Sequence, residues 1–141
     1  MTLNLTPNTE ALVSAFLRDQ PEVQTLADDR CYTVIPKAAT YPLLRVTLLI
    51  DQPAGGEPLW LTAAQVQVEA FGGTKAQAWT LATTARSAIS ERLTGTHDEG
   101  VVTGVTSGPL LDQPDEDFTP ARARFLFTST IYVHPGATLP S

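Results

Sequence analysis

Three stretches of this chain alternate apolar and polar side chains with a period of two, and that pattern sets the fold. In Tyr41–Asp51, Leu44, Val46, Leu48 and Ile50 share one face, while Arg45, Thr47 and Asp51 take the other. In the second half of Leu59–Phe71, Val66, Val68 and Ala70 point inward and Gln65, Gln67 and Glu69 outward. In Ala121–Val133, Ala123, Phe125, Phe127, Ile131 and Val133 face a core, with Arg122, Arg124, Thr128, Thr130 and Tyr132 facing away. Alternation of this kind marks strands with one buried face, so an antiparallel sheet is expected. Gln52 to Pro58 is rich in turn residues and joins the first two strands as a hairpin with a long tip.

The apolar face of such a sheet needs a cover, and helical periodicity supplies it. Gly72-Gly73 ends the second strand, and Thr74-Lys75-Ala76-Gln77 fits a capping box. The main helix follows over Lys75–Leu93, with Ala78, Leu81, Ala82, Ala85, Ile89 and Arg92 along one side and Gly95 as its stop. An earlier helix is expected from Thr6 as cap and Pro7 as first residue, with Leu12, Val13, Phe16 and Leu17 as its stripe. Pro21 breaks that run, and Pro21–Ala27 forms a short further turn with Val23 and Leu26 inward. Cys31–Ile35 and Val101–Val105 read as short strands, and Gly108–Pro120 as an acidic loop. The fold class is α+β, a mainly antiparallel sheet of about five strands with two main helices packed on one face. Residues 1–134 are expected to make one domain, and 135–141 a flexible C-terminal tail.

Composition restricts function. Only 17% of residues are charged, and threonine fills 20 of 141 positions. A surface of neutral hydroxyls is cheap to desolvate against copies of itself. Six of the 15 acids lie between Leu93 and Ala121, a segment with no Lys or Arg; the remaining nine acids balance nine bases. The whole net charge of -6 therefore sits in one stretch. Such a chain is a poor duplex DNA binder, because phosphate contacts need cations. No apolar run is long enough to span a bilayer, and the first ten residues carry no signal-peptide pattern.

Catalytic chemistry finds little support. Gly72-Gly73-Thr74-Lys75 lacks the spacing of a phosphate-binding loop and reads as a turn plus a cap. His97-Asp98-Glu99 are adjacent, with His134 far along the chain, so no metal set is expected. Cys31, the one cysteine, sits in an apolar strand and reads as a small core residue. Asp115 and Asp117 fall in the acidic loop, with no pocket to shape them into an acid–base pair. No catalytic, cofactor-binding or metal-binding residue is assigned. Arg122 and Arg124 read either as guards of an edge strand or as a positive patch that meets the acidic loop of a neighbouring copy. Trp60 near the hairpin tip and Trp79 early in the main helix are the two large anchors; Trp79, off the main apolar stripe, reads as a core-packing residue or as part of an interface, and with the two arginines the tryptophans are the candidate subunit interface.

Several segments in order resemble one family. They are the helix with Ala11-Leu12-Val13 and Phe16-Leu17-Arg18, then Pro21 and Val23, Asp29-Arg30-Cys31-Tyr32 with Ile35-Pro36, and Tyr41-Pro42-Leu43-Leu44-Arg45-Val46. Val66-Gln67-Val68-Glu69-Ala70-Phe71-Gly72 and the helix with Ala78, Leu81-Ala82, Ala85-Arg86 and Ala88-Ile89 complete the set. A strand ending in aromatic-glycine before an alanine-rich helix is the most specific part. The chain resembles the tail terminator, or tail completion, proteins of long non-contractile-tailed bacteriophages, over about Thr9 to Val133.

That resemblance implies a non-enzymatic virion protein. It implies a homohexameric ring on the tail tube that stops tube elongation and offers the head-side connector or stopper its joining surface. Its partners would be itself, the tail tube protein and that connector, with DNA passing through the lumen without specific binding. Its places would be the host cytoplasm during assembly and then the tail or neck of the virion. Asp112, Asp115, Glu116 and Asp117 are the candidate lumen-lining or partner-facing acidic segment. Another neck component, and a small ligand-binding α+β domain, are the alternatives.

Overall fold

Apolar side chains from alternate strand positions and from three helices meet in one layer, and the sheet forms around it. The computed structural model describes residues 5–54, 61–117 and 122–135. The helices are α1 (Thr9–Arg18), α2 (Pro21–Ala27) and α3 (Lys75–Arg92). The strands are β1 (Cys31–Tyr32), β2 (Leu43–Pro53), β3 (Thr62–Gly72), β4 (Gly95–His97), β5 (Gly100–Ser107), β6 (Leu111–Asp112) and β7 (Ala123–His134). They pair in the order β1-β2-β3-β7-β5-β4, and β6 also pairs with β7.

The α+β class stands, with three helices and seven strands in place of two main helices and about five strands. All pairs are antiparallel except β1 with β2, which run parallel. β1 is shorter than its apolar run suggests. It pairs only through Cys31 and Tyr32, and the chain then turns away, leaving Val34 81% exposed. β4 and β6 were not expected. Each is a short stretch of weak strand propensity that exists because β5 or β7 offers it a backbone partner.

The inner face carries the core. Val46, Val68 and Phe127 lie side by side on β2, β3 and β7, all fully buried. Against them α3 sets Ala78, Leu81, Ala82, Ala85 and Ile89, also fully buried. α1 adds Leu12, Val13 and Leu17, and α2 adds Val23 and Ala27.

Local chemistry explains the element ends. α1 starts at Thr9 rather than Pro7, because the Asn8 side chain accepts from the Ala11 amide at 3.1 Å. Pro7 is buried instead against Gly100. At α3 the Thr74 hydroxyl accepts from the Gln77 amide at 3.1 Å, and the Gln77 side chain reaches back to the Gly73 amide at 2.9 Å. Leu93 caps the other end, and Gly95, at φ +139°, turns the chain into β4. Arg92 does not join the apolar side of α3. Its guanidinium grips Glu22 of α2 at 2.6 Å and 2.9 Å and Gln20 at 3.0 Å, in solvent.

A bulge changes one expected face. Leu48 sits opposite Val66, yet Ile50 sits opposite Gln65, so Leu49 is an extra residue in β2. Beyond it the alternation inverts. Ile50 leaves the core face on which the strict period places it and is 47% exposed on the outer face.

Two outcomes follow. A side chain at Gly72 would meet the Ala78 amide at 2.7 Å and the Thr74 carbonyl at 2.9 Å, so Gly72→Ala is expected to lose roughly 1–3 kcal/mol in urea denaturation. Gly73→Ala, which meets only the end of the Gln77 side chain, should lose less. The Arg92 hydrogen bonds hold the Glu22 carboxyl down at about 2 against an ordinary 4.5. The α2–α3 contact they make is therefore fully present above about pH 4.5 and is lost as pH falls through about 2. An NMR titration of the Glu22 carboxyl should show that midpoint, and Arg92→Ala should return it towards the usual range.

Candidate functional site

The face of the sheet away from the helices is built from the other half of the alternation. One end of it holds a buried ionic cluster. Glu69 stands opposite Arg45 on β2 and Leu126 on β7. Its side chain is 2% exposed. Arg45 donates to both of its oxygens, at 2.6 Å and 2.9 Å, and Arg124 donates a third bond at 2.7 Å. The neighbouring Phe71 ring lies 5.5 Å from the Arg45 guanidinium carbon and 5.9 Å from that of Arg124. Tyr41 meets Phe71 edge-on, and the Arg122 guanidinium stacks 3.7 Å over Tyr41. Leu43, Phe71 and Leu126 are buried beside them, so this end of the outer face is a second small core.

Glu69 lies on the outward face, as the alternation places it, and the structure adds that it is buried there. Two arginines from adjacent strands fold over it. One carboxylate between two guanidiniums accepts three charge-assisted hydrogen bonds and leaves the cluster cationic. The available signal was an acid among glutamines in the outward row of β3, with one arginine in the outward row of each neighbouring strand.

The acidic segment is part of the same construction. Gly108–Pro120 is not a loose loop over its described residues. The Gly108 amide donates to Thr128 O at 2.8 Å, Leu111 and Asp112 pair with Leu126 and Phe125, and the Gln113 amide donates to Arg124 O at 3.0 Å. Asp115 bridges to Arg122 in both directions through the backbone, at 2.8 Å and 3.0 Å. The segment thus continues the β5 side of β7 down to the end of the hairpin. Arg124 Nε also donates to Gln113 O at 2.8 Å. Within one chain, then, the acidic segment and the two arginines already lie against each other.

The four acids differ in what they do. Asp112 pairs with Lys75 at 2.9 Å, and an Asp115 carboxylate oxygen accepts from the Asp117 amide at 3.1 Å. Glu116 and Asp117 are exposed. Asp98 and Glu99 are at the opposite end of the sheet, in the β4–β5 turn, where Val101 pairs with His134. The negative charge that is continuous in sequence is therefore split between two ends of β7, roughly 40 Å apart for a twelve-residue strand.

Between those ends the outer face is uncharged. Its rows are Thr47, Gln67 and Thr128, then Ile50, Gln65, Thr130 and Thr106, then Gln52, Ala63, Tyr132 and Gly104. Tyr132 is 36% exposed. Trp79 sits elsewhere, half exposed on α3. It is one turn on from Lys75, which pairs with Asp112, and on the same flank as Ser90, which bonds Ser107 at 3.3 Å. It therefore faces the β5–β6 edge rather than α2. Trp60 lies outside the described residues, as does most of the C-terminal tail.

The grooves on the helix side gather no reactive set. One, between α1 and the β4–β5 turn, brings Asp19, His97, Asp98 and Glu99 near Phe16. The His97 Nε2 is 2.7 Å from the Leu93 carbonyl, and its ring stands edge-on to Phe16 at 5.9 Å. Two others run along the α2–α3 seam, one holding the Glu22–Arg92 pair with Glu91 beside Thr83 and Thr84, the other lined by Thr25, Leu26, Pro42, Ala76, Gln77 and Thr80. Cys31 is buried beside Ser14, and burial pushes its thiol up to about 11, so it is a protonated core residue at neutral pH. Among the described residues no cluster of histidine, cysteine and carboxylates has the makings of a metal site, and no helix is long and apolar enough to cross a membrane.

Neither a family model nor a curated protein matches the sequence. The fold does have a counterpart among solved structures, a chain in the virion of a native gene transfer agent particle, at a TM-score of 0.68 and 15% identity. The match covers 89% of this chain and 93% of that one. This is a fold that a virion uses. At that identity the likeness lies in the architecture and not in particular surface residues.

Glu69→Gln should cost about 3–5 kcal/mol in chemical denaturation, because it leaves two partly buried guanidiniums facing each other without their counter-charge. The triple change Arg45→Met, Glu69→Leu, Arg124→Met should recover most of that loss.

Proposed function

We propose that this chain is a structural virion protein without enzymatic activity. It assembles as a homohexameric ring on the end of a phage tail tube, stops its elongation and presents the surface that the head-side connector or stopper joins. The observation that carries the reading is the shared fold with a virion chain over nearly the full length of both. Two features of the surface support it. An uncharged sheet face and a half-exposed tryptophan are cheap to desolvate against other subunits.

In this reading the acidic residues keep DNA moving. Glu116 and Asp117, whose side chains are exposed, repel phosphates as the genome passes. Asp112 and Asp115 serve the fold as well, through Lys75 and the turn to Asp117. The partners are further copies of the chain, the tail tube protein and the connector or stopper. The chain works in the host cytoplasm during assembly and in the tail or neck of the virion afterwards.

A phage from which this chain is deleted should make tails of uncontrolled length that fail to join heads, scored by electron microscopy, and supplying the chain in trans should restore them. Normal virions without it would falsify the reading. Glu116→Gln with Asp117→Asn should slow genome ejection while leaving ring assembly intact; unchanged ejection removes the role given to these two acids.

A further inference from the structure

We infer that Glu10 is an intramolecular guard on the free edge of β2: its carboxylate takes the pairing position that a strand of another copy would occupy, and so blocks strand addition there. The guard stands apart from the ring reading, since a lone subunit needs it as much as a ring does.

The edge is long. β1 pairs with β2 only at Leu44 and Arg45, so from Val46 to Pro53 no strand lies on that side among the described residues. Backbone groups alternate in direction along an antiparallel strand. The Leu44 amide donates to Arg30 O at 2.9 Å, on the side away from β3. The backbone groups of Val46 and Leu48 turn the same way. A row of unpaired amides and carbonyls is a template for another chain. Leu49 and Ile50, each 47% exposed, make this stretch apolar as well, which adds to the hazard.

At Leu48 the first helix intervenes. Glu10, in the first turn of α1, accepts from the Leu48 amide at 2.7 Å, across 38 residues of sequence. It satisfies that amide as the carbonyl of an added strand would. A carboxylate has no hydrogen to donate, so the ladder cannot continue through it. An incoming strand would have to displace a charge-assisted hydrogen bond and bring its own carbonyl against the carboxylate. The guard is also firmly held, because Leu12, Val13 and Leu17 anchor α1 in the core.

The residues beyond complete the block. Leu49 is bulged, and a bulge twists the edge away from the line that an added strand follows. The Ala54 amide donates to Leu61 O at 3.0 Å, so Pro53, one step before, turns to the open side, where it has no amide to offer. Plug, bulge and proline follow one another along one edge.

Exchange and association read the guard separately from the stability of α1. Glu10→Ala should keep the wild-type circular dichroism. Its Leu48 amide should exchange with solvent at least about tenfold faster, measured against amides in the middle of α1, as loss of a hydrogen bond to a charged group implies. In analytical ultracentrifugation it should form concentration-dependent species larger than any the wild type forms. Adding Leu49→Lys should remove those species, since a charge on the edge opposes pairing. Glu10→Gln, which keeps an acceptor oxygen at the same reach, should restore part of both properties. Glu10→Ser, too short to reach Leu48, serves if the alanine variant fails to fold. A folded variant whose Leu48 amide exchanges no faster than α1 does, or that associates no more than the wild type, overturns the guard.

Discussion

Over Glu69–Gly72 strand β3 is buried on both faces, and the two faces are buried in different ways. On the inner side Val66, Val68 and Ala70 lie under the alanines of α3, which let the helix come close to the sheet. On the outer side there is no helix, and Glu69 and Phe71 are covered by arginines from the strands on either side. A carboxylate at that depth is tolerable only with its charge and its lone pairs satisfied. The pairing register therefore matters. It puts Arg45 directly opposite Glu69, and Arg124 opposite Phe71 one step along. A slip of one residue would turn the whole apolar set outward and leave the acid without its partners.

The same cluster explains why the acidic segment is ordered where it is described. Arg124 serves two masters, Glu69 through one nitrogen and the Gln113 carbonyl through another. Leu111 and Asp112 then find β7 as a backbone partner, and Lys75 at the start of α3 neutralises Asp112. The helix layer and the far end of the hairpin are thus tied together by charge, whereas α2 and α3 are tied by Glu22 and Arg92 in solvent. The two ties differ in weight. The exposed pair is screened by salt and water, while the Glu69 group is enclosed and cannot be broken without leaving a buried charge.

What was legible in the sequence follows from what is local. The period of two placed β2, β3 and β7 and chose their inner faces, because a side chain's side of a strand depends only on its neighbours in the chain. The Thr74–Gln77 cap was legible for the same reason. Ile50 was misplaced because one inserted residue inverts every later position, and nothing in Leu48-Leu49-Ile50 marks which leucine is extra. The burial of Glu69 was not legible because it is made by side chains 24 and 55 residues away. β4 and β6 are strands by virtue of their partners. As for the candidate site, the acids, arginines and Trp79 were all visible as residue types; what the sequence hid was that the arginines are largely engaged within their own subunit.

The split of negative charge bears on how a polyanion could pass this protein. Read as sequence, residues 93–121 form one acidic block. In the fold, β7 separates Asp98 and Glu99 from Glu116 and Asp117, and the face between them is hydroxyl, amide and apolar. Charge at two separated points with a neutral span between acts differently from a continuous acidic wall. Repulsion at each end falls off within about 8–10 Å at physiological salt, so the two ends do not reinforce each other over the length of the strand. The separation that the composition hinted at, few charges over most of the chain and acid in one block, is then a separation between places on one strand rather than between segments of the chain.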